Sequence, residues 1–232
     1  MSKPKFQALF SHSVIAVLFA IFAYGCANVS PESISFSQSK QQLKQAYKQH
    51  NFHTEFYCGV EFDIDRLKIL ESPQYTQRKP FTSKGKANIR AKRIEFEHIM
   101  PAHRFGGNLE CWQKGGRKAC ANDENFRKME AEKRNLVPAI GEINADRSNF
   151  AYAESKQVPQ GQYGKCQAYT DFKNKRFYPR DEVKGIIARI YLYMAKQYKI
   201  TLTQEEQSLM ESWNKAYPPT EYEIRLLQMQ GF

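Results

Sequence analysis

The stretch Arg93-Ile-Glu-Phe-Glu-His-Ile-Met-Pro-Ala-His-Arg-Phe105 constrains this chain more than any other. Apolar Ile94 and Phe96 alternate with Arg93, Glu95 and Glu97, the period-two pattern of a strand with one polar face. Proline has no N–H to give a ladder, so Pro101 ends the strand just past His98. Glu97 and His98 therefore stand side by side at the end of a rigid element, on opposite faces unless the backbone bends there. A carboxylate beside an imidazole in such a place can serve as metal ligand and general base. The same dipeptide also suits a surface glutamate next to a satisfied core histidine, and taken alone the pair fits both readings.

Composition narrows the partners. The chain has 232 residues, enough for one domain with a sizeable core, and a formal net charge of +11 with a sequence pI near 9.4. Such a surplus is silent on fold but favours polyanions: nucleic acid or an anionic membrane surface. Lys3 and Lys5 precede a ten-residue apolar run, Val14–Ala23, too short for a membrane span and right for a secretory signal. Ala23-Tyr-Gly-Cys26 also has the form of a lipobox, from which Tyr24 departs. The expected organisation is a signal peptide over residues 1–25, a Ser-rich tether over 26–39 and a single domain over 40–232.

Cysteine usage agrees with export to the periplasm or medium, or to the outer membrane as a lipoprotein. Beyond Cys26 the chain has Cys58, Cys111, Cys120 and Cys166, an even number suited to an oxidising compartment. Three pairings are possible, and Cys111 with Cys120 is favoured because it closes a short loop around Gly115-Gly116, leaving Cys58 with Cys166.

Local patterns fill in the rest. Ser39 to about Gln49 reads as a short amphipathic helix, and Asn51–Asp65 as a strand or hairpin pinned by Cys58. Residues 72–92 carry two prolines, Gly85 and a run of Lys and Arg, a basic loop with a short strand near Ala87–Ile89. A Gly-rich loop is expected over 106–121. A helix capped by Asn122 or Asp123 should run to about Lys133. Another should run from Pro138 to about Arg147, with Ala139, Ile140 and Ile143 buried and Asn144 beside that stripe. Residues 155–180 fit loop or strand. Asp181 can cap a long helix, and Thr203-Gln-Glu-Glu206 and Thr220-Glu-Tyr-Glu223 read as capping boxes for two more.

The blocks Glu97-His98-Ile-Met-Pro-Ala-His-Arg-Phe-Gly106, Cys111-Trp112, Gly-Gly-Arg-Lys118 and Cys120 follow one another closely. Then come Arg-Lys-Met-Glu-Ala-Glu132, Asn-Leu-Val-Pro-Ala-Ile-Gly-Glu-Ile-Asn144, Asp-Arg-Ser-Asn-Phe150 and Gln-Tyr-Gly-Lys-Cys166. In this order and spacing, from about Phe56 to about Gln230, the chain resembles the endonuclease I family of bacterial periplasmic and secreted nucleases. The resemblance implies an α+β fold with a ββα-metal (His-Me finger) core and C-terminal helices. It also implies hydrolysis of nucleic-acid phosphodiesters with a divalent ion, Mg²⁺ first and Mn²⁺ or Ca²⁺ as alternatives. Glu97 and Asn144 match the family's metal ligands and His98 its general base. Glu130 matches an acidic site residue, and Arg117, or else Lys118, the phosphate-contacting arginine. Cysteines that family members carry near Val60, Ser72 and Tyr222 and in a C-terminal tail have no counterpart here, as two lost disulfides would leave it.

An imidazole with a pKa near 6.5 can take a proton from water at neutral pH, which suits His98 to base catalysis. His103 does not complete a zinc-protease motif, because it lies five residues from His98 with Pro101 between. The expected protein is an exported, monomeric, sequence-nonspecific endonuclease acting on DNA, with RNA as a second substrate. The alternative is a non-catalytic nucleic-acid-binding protein anchored to the envelope through Cys26.

Overall fold

The computed structural model describes Met1 and residues 34–232, so the signal-peptide and lipobox assignments, Cys26 included, lie outside the described residues. The elements run helix α1 (Phe36–Gln49), strands β1 (Phe62–Asp63), β2 (Lys68–Ile69) and β3 (Ile94–His98), then helices α2 (Ala102–Gly106), α3 (Glu110–Ala119) and α4 (Glu124–Glu130). Strand β4 (Leu136–Ile140), helix α5 (Gly141–Arg147) and strands β5 (Ala151–Tyr152), β6 (Tyr169–Asp171) and β7 (Arg176–Tyr178) follow, before helices α6 (Asp181–Tyr198), α7 (Gln204–Ala216) and α8 (Glu221–Gln230). The strands make a β1–β2 pair, a β3–β4 pair and a three-stranded β5–β7–β6 sheet, an α+β architecture of small sheets and packed helices.

Helix α1 begins inside the segment assigned to the tether. Ser35 and Gln38 form a capping box: the Ser35 hydroxyl accepts from the Gln38 N–H at 3.2 Å, and the Gln38 side chain accepts from the Ser35 N–H at 2.7 Å. Leu43 and Tyr47 are buried, and the Ser39 hydroxyl donates to the Ala131 carbonyl at 2.6 Å, seating the helix on the domain.

Strand β3 ends at His98 as the sequence predicts, and pairs antiparallel with β4 from Ile94↔Ile140 to His98↔Leu136. The predicted helix from Pro138 is corrected: Pro138 lies mid-strand, opposite Phe96, and the helix starts at Gly141. The Pro138 carbonyl accepts the Phe56 N–H at 2.8 Å, on the edge of β4 away from β3. Within a strand a residue's N–H and C=O point the same way, so the donor that proline lacks would also have pointed outward, and the ladder loses no bond. Ala139 and Ile140 are buried as expected, but as strand residues. At Gly141 the chain passes directly from strand to helix, and a Cβ there would lie 2.7 Å from Glu95 Oε1 and 2.9 Å from the Arg90 carbonyl oxygen. Only glycine fits that approach.

The loop expected over 106–121 is mostly helix. Helix α3 spans it, broken at Gly115-Gly116, where Gly116 takes φ 66°, a left-handed conformation that glycine adopts without strain. The Cys111–Cys120 disulfide bridges that break, and Cys58 is joined to Cys166. Asp123 caps α4 by accepting from the Phe126 N–H at 2.8 Å, but the helix stops at Glu130 because Glu132 caps a separate turn at Lys133–Asn135.

Over residues 51–65 the predicted hairpin reduces to a Thr54↔Glu61 bridge and the short β1. The 72–92 loop holds a Phe81↔Ala87 bridge followed by a 3₁₀ turn at Ile89–Lys92. In the C-terminal third, Asp181 is not a cap but the first helical residue of α6, paired with Lys184 at 2.8 Å. The Thr203–Glu206 capping box of α7 forms, whereas at α8 only the Thr220 half does, since the Glu223 carboxylate pairs with Arg189.

Helix α5 is tied down on its outer side. Buried Glu142 accepts from the Tyr75 hydroxyl at 2.7 Å and from the backbone N–H groups of Arg78 and Lys79 at 3.0 and 2.8 Å. Asp146 takes both ends of the Arg78 guanidinium at 2.7 and 2.5 Å.

The two disulfides close loops of very different length, with sequence separations of 108 and 9. In a chain-entropy treatment the long closure stabilises by about 4–5 kcal/mol and the short one by roughly 2–3 kcal/mol. A Cys58→Ser, Cys166→Ser double variant should therefore lose clearly more stability in urea than a Cys111→Ser, Cys120→Ser variant. Equal losses would show that loop closure is not what these bonds contribute.

Candidate active site

Strand β3, helix α5, helix α1 and helix α3 surround a cleft of about 700 Å³, lined by Glu95, Glu97, His98, Asn144, Arg147, Arg117, Phe36 and Lys40 among others. Each element contributes for a local reason. β3 ends at His98, ahead of Pro101, and its last side chains line the cleft while remaining buried. α5 springs from the partner strand β4, so its inner face looks along the end of β3.

Glu97 is 2% exposed and held from two sides. The Tyr57 hydroxyl donates to Glu97 Oε1 at 2.9 Å and the Arg147 guanidinium at 3.2 Å, while Glu97 Oε2 is buried without a partner. Burial lifts the Glu97 carboxyl to about 7, against the pull of Arg147 and the Tyr57 hydroxyl. Arg147, itself buried, also donates to the His98 carbonyl at 2.9 Å and the Ile99 carbonyl at 2.6 Å. Its guanidinium lies 4.6 Å over the Tyr152 ring, and the Tyr152 and Tyr57 hydroxyls meet at 2.8 Å.

Asn144 Nδ2 donates to Glu95 Oε2 at 3.0 Å, and Glu95 is held by Arg90 and Arg93. A carboxylate only accepts, so this bond orients the amide and turns the Asn144 carbonyl oxygen away from Glu95. The unpartnered Glu97 oxygen and the Asn144 carbonyl are hard oxygen donors lining one cleft. A buried carboxylate oxygen with no donor is costly, and a divalent cation would offset that cost. Among the described residues no group of three or more His, Cys, Asp or Glu is gathered. Few protein ligands and several waters is how Mg²⁺ is usually held, so the residues present fit such an ion.

His98 Nε2 lies 2.8 Å from the Glu130 carbonyl oxygen. That oxygen can only accept, so the ring proton sits on Nε2 and Nδ1 keeps its lone pair. Burial pushes the imidazole down to about 3, and Arg117, Arg147 and Lys40 act in the same direction despite the Glu130 bond, so the ring is neutral at physiological pH and a weaker base than the free imidazole expected from the sequence. Phe36 packs on the ring at 4.8 Å between centroids and Phe105 meets it edge-on at 5.7 Å. The Glu130 carboxylate accepts from Arg117 Nε at 2.6 Å.

Of the residues expected at the site, Glu97, His98, Asn144 and Arg117 share the cleft, and Glu130 joins His98 and Arg117 by hydrogen bonds. Lys118 is not among the lining residues. Arg147, Glu95, Tyr57 and the α1 side chains went unanticipated. Arg147 carried a usable signal, lying one helical turn after Asn144 and hence on the same face. Tyr57, 40 residues before Glu97, carried none.

Residues 35–228 match the profile of the family described as endonuclease I. The chain belongs to the endonuclease I family. A periplasmic deoxyribonuclease of Aeromonas hydrophila is 42% identical over 208 residues, covering 86% of this chain and 84% of the relative. An extracellular deoxyribonuclease of the same species is 40% identical over 202 residues, 85% of each chain. Endonuclease-1 of Buchnera aphidicola subsp. Baizongia pistaciae is 41% identical over 213 residues, 88% of this chain and 84% of the relative. As a member, the chain is a metal-dependent enzyme that hydrolyses nucleic acid.

Two outcomes follow from the packing of this nuclease. Arg147→Met should cost about 3–5 kcal/mol in urea unfolding, because it strands the Glu97 carboxylate and two carbonyls in the interior. Wild-type stability would mean that the pair is not coupled to the fold. Phe36→Ala should lower kcat by about tenfold with KM nearly unchanged, since the His98 ring it packs on would be loosened in the cleft without loss of a substrate contact. A rise in KM alone would instead make Phe36 a substrate-binding residue.

Proposed function

We propose that this chain is an exported endonuclease that cleaves DNA without sequence preference, using Mg²⁺ held by Glu97 and Asn144 and His98 as general base. The observation that carries the reading is the His98 ring, fixed through Nε2 with Nδ1 free, in the same cleft as the unpartnered Glu97 oxygen. Bound there, the ion would supply a Lewis acid for the phosphate and the leaving oxygen.

The chain's own groups do the remainder. Neutral His98 takes the proton of the attacking water at Nδ1, and the Glu130 carbonyl bond steadies the imidazolium that results. Arg117, about half exposed at the rim, offers N–H donors to the phosphate as negative charge develops. Glu130 holds both groups in register, through its carbonyl on His98 and its carboxylate on Arg117. Neutral Asn144 would leave a bound ion most of its charge for the phosphate. Mn²⁺ or Ca²⁺ would find the same oxygen donors, with Mg²⁺ preferred for so few protein ligands.

DNA is the proposed substrate because the Aeromonas relatives are named deoxyribonucleases and the chain carries +11. Residues 1–25 act as the signal peptide, with Cys26 the candidate for lipidation, and the folded enzyme works as a monomer in the periplasm or medium.

Incubation with plasmid should give nicking and linearisation with Mg²⁺ and none in EDTA; retention of DNA without cleavage under both conditions would instead favour the envelope-anchored binding protein. His98→Ala should lose about 10²–10⁴-fold in kcat while metal and DNA binding persist. Near-normal turnover would remove His98 from the mechanism. Glu97→Ala should lose Mg²⁺ affinity together with activity, and unchanged metal binding by calorimetry would refute the ligand assignment.

A further inference from the structure

The catalytic cleft leaves unused the most basic part of the chain. Between Glu71 and Glu95 the sequence contains seven Lys and Arg and no acidic residue. Three of the seven are occupied internally, Arg78 by Asp146 and both Arg90 and Arg93 by Glu95. Among the described residues, Lys79, Lys84, Lys86 and Lys92 make no salt bridge.

This segment is built, not loose. The Thr82 N–H donates to the Lys86 carbonyl at 2.8 Å, the Gly85 N–H to the Thr82 carbonyl at 3.0 Å and the Asn88 N–H to the Pro80 carbonyl at 2.8 Å, closing a small hairpin over residues 80–88. Its root is pinned by Asn88 Nδ2 on the Lys79 carbonyl at 2.9 Å and by Glu142 on the Lys79 N–H at 2.8 Å. Glu142 precedes Asn144 on α5, and Arg90 beyond the hairpin lines the cleft, so the root adjoins the catalytic site. On this scaffold Phe81 is 63% exposed and Ile89 68% exposed, more than any other large apolar residue described except Met1. A single exposed apolar side chain on a surface is ordinary. Phe81 on this hairpin and Ile89 on the 3₁₀ turn that follows it, in a segment whose four lysines are unpaired, suit an external partner that is both polyanionic and apolar inside.

We infer that the 79–92 segment, the hairpin with the turn that follows it, is a second DNA-binding element, which lays its lysines on the backbone of a duplex and drives Phe81 between base pairs beside the cleaved phosphate. The inference rests on the DNA-cleaving reading of the cleft. Duplex DNA has the required chemistry, phosphates outside and stacked bases within, and apolar wedges of this kind open base steps in other architectures. The wedge needs no base-specific donor, so it would hold DNA without choosing a sequence. An anionic membrane offers a similar combination, but the hairpin's attachment to the cleft favours the substrate.

The test uses the full mature chain and a duplex carrying 2-aminopurine, held intact in EDTA. Wild-type protein should raise the 2-aminopurine fluorescence, which reports unstacking. Phe81→Ala should abolish that rise and weaken duplex binding by about tenfold, the scale of one lost base contact. With Mg²⁺ restored, the same variant should show a raised KM and a kcat close to wild type. Lys84→Ala with Lys86→Ala should flatten the salt dependence of binding while keeping the fluorescence rise. If Phe81→Ala matches wild type in fluorescence and KM, the wedge is refuted while the nuclease reading stands. If instead it loses only its affinity for phosphatidylglycerol vesicles, the hairpin is a membrane contact and the inference is again wrong. Absence of cleavage by the wild type would count against the nuclease reading alone, since unstacking in EDTA requires no catalysis.

Discussion

The buried contact between Arg147 and Glu97 is the constraint on which the site depends. Their side chains are 1% and 2% exposed, so neither charge could be left alone there. A pair of this kind adds little net stability, because desolvating both ions consumes most of what their attraction returns. What it adds is geometry. Arg147 spreads its donors over the Glu97 carboxylate and the His98 and Ile99 carbonyls, which lie where β3 runs out of ladder. Asn135 completes the exit, accepting the Ile99 N–H at its carbonyl and the Met100 N–H at its side chain. A strand end, normally a place that frays, is thereby tied down, and Glu97 and His98 sit on it.

Helix α5 transmits that fixity. At seven residues it is too short to hold itself together, so its order comes from what it touches. Asn144 and Arg147 look to β3, while Glu142 and Asp146 grip the 75–79 loop, and the Tyr163 hydroxyl also reaches Asp146 at 2.9 Å. The cleft is then held by groups from segments far apart in sequence. The long disulfide Cys58–Cys166 closes the same set of segments covalently.

How far this could be read in advance differs by residue. Strand β3, its end just past His98 and the Thr203 capping box were legible in local periodicity and spacing, and the disulfides in the even cysteine count and the short loop between Cys111 and Cys120; the set Glu97, His98, Asn144 and Arg117 was legible only through the family resemblance, since Asn144 alone reads as an ordinary helix residue. Pro138 misled, since a proline suits a helix start and also the outward edge of a strand, and only the Phe56 contact from outside the motif distinguishes them. The stretch around Gly115-Gly116 read as loop because two glycines disfavour helix, yet the helix survives on either side of the break, across which Cys111 and Cys120 are joined. Ser35-x-x-Gln38 was a legible capping signal that the surrounding serines obscured. The Tyr57 and Phe36 contacts to Glu97 and His98 join residues tens of positions apart, and no local pattern encodes such a meeting.

The cleft's own cations are largely spoken for. Arg117 is held by Glu130, Arg90 and Arg93 by Glu95, and Arg147 by Glu97, so each guanidinium is aimed before substrate arrives and its charge is partly balanced. Such pre-set groups stabilise a developing charge well, because they need not reorganise during reaction. For the same reason they attract a distant polyanion weakly. Long-range attraction must come from cations lacking an internal carboxylate, and the lysines of the 79–92 segment are of that kind. On the proposed reading, turnover and capture would fall to different residues, the first to charges paired around the cleft, the second to unpaired ones on the 79–92 segment. Neither set, so divided, would have to recognise a base, which is why the proposed cleavage is indifferent to sequence.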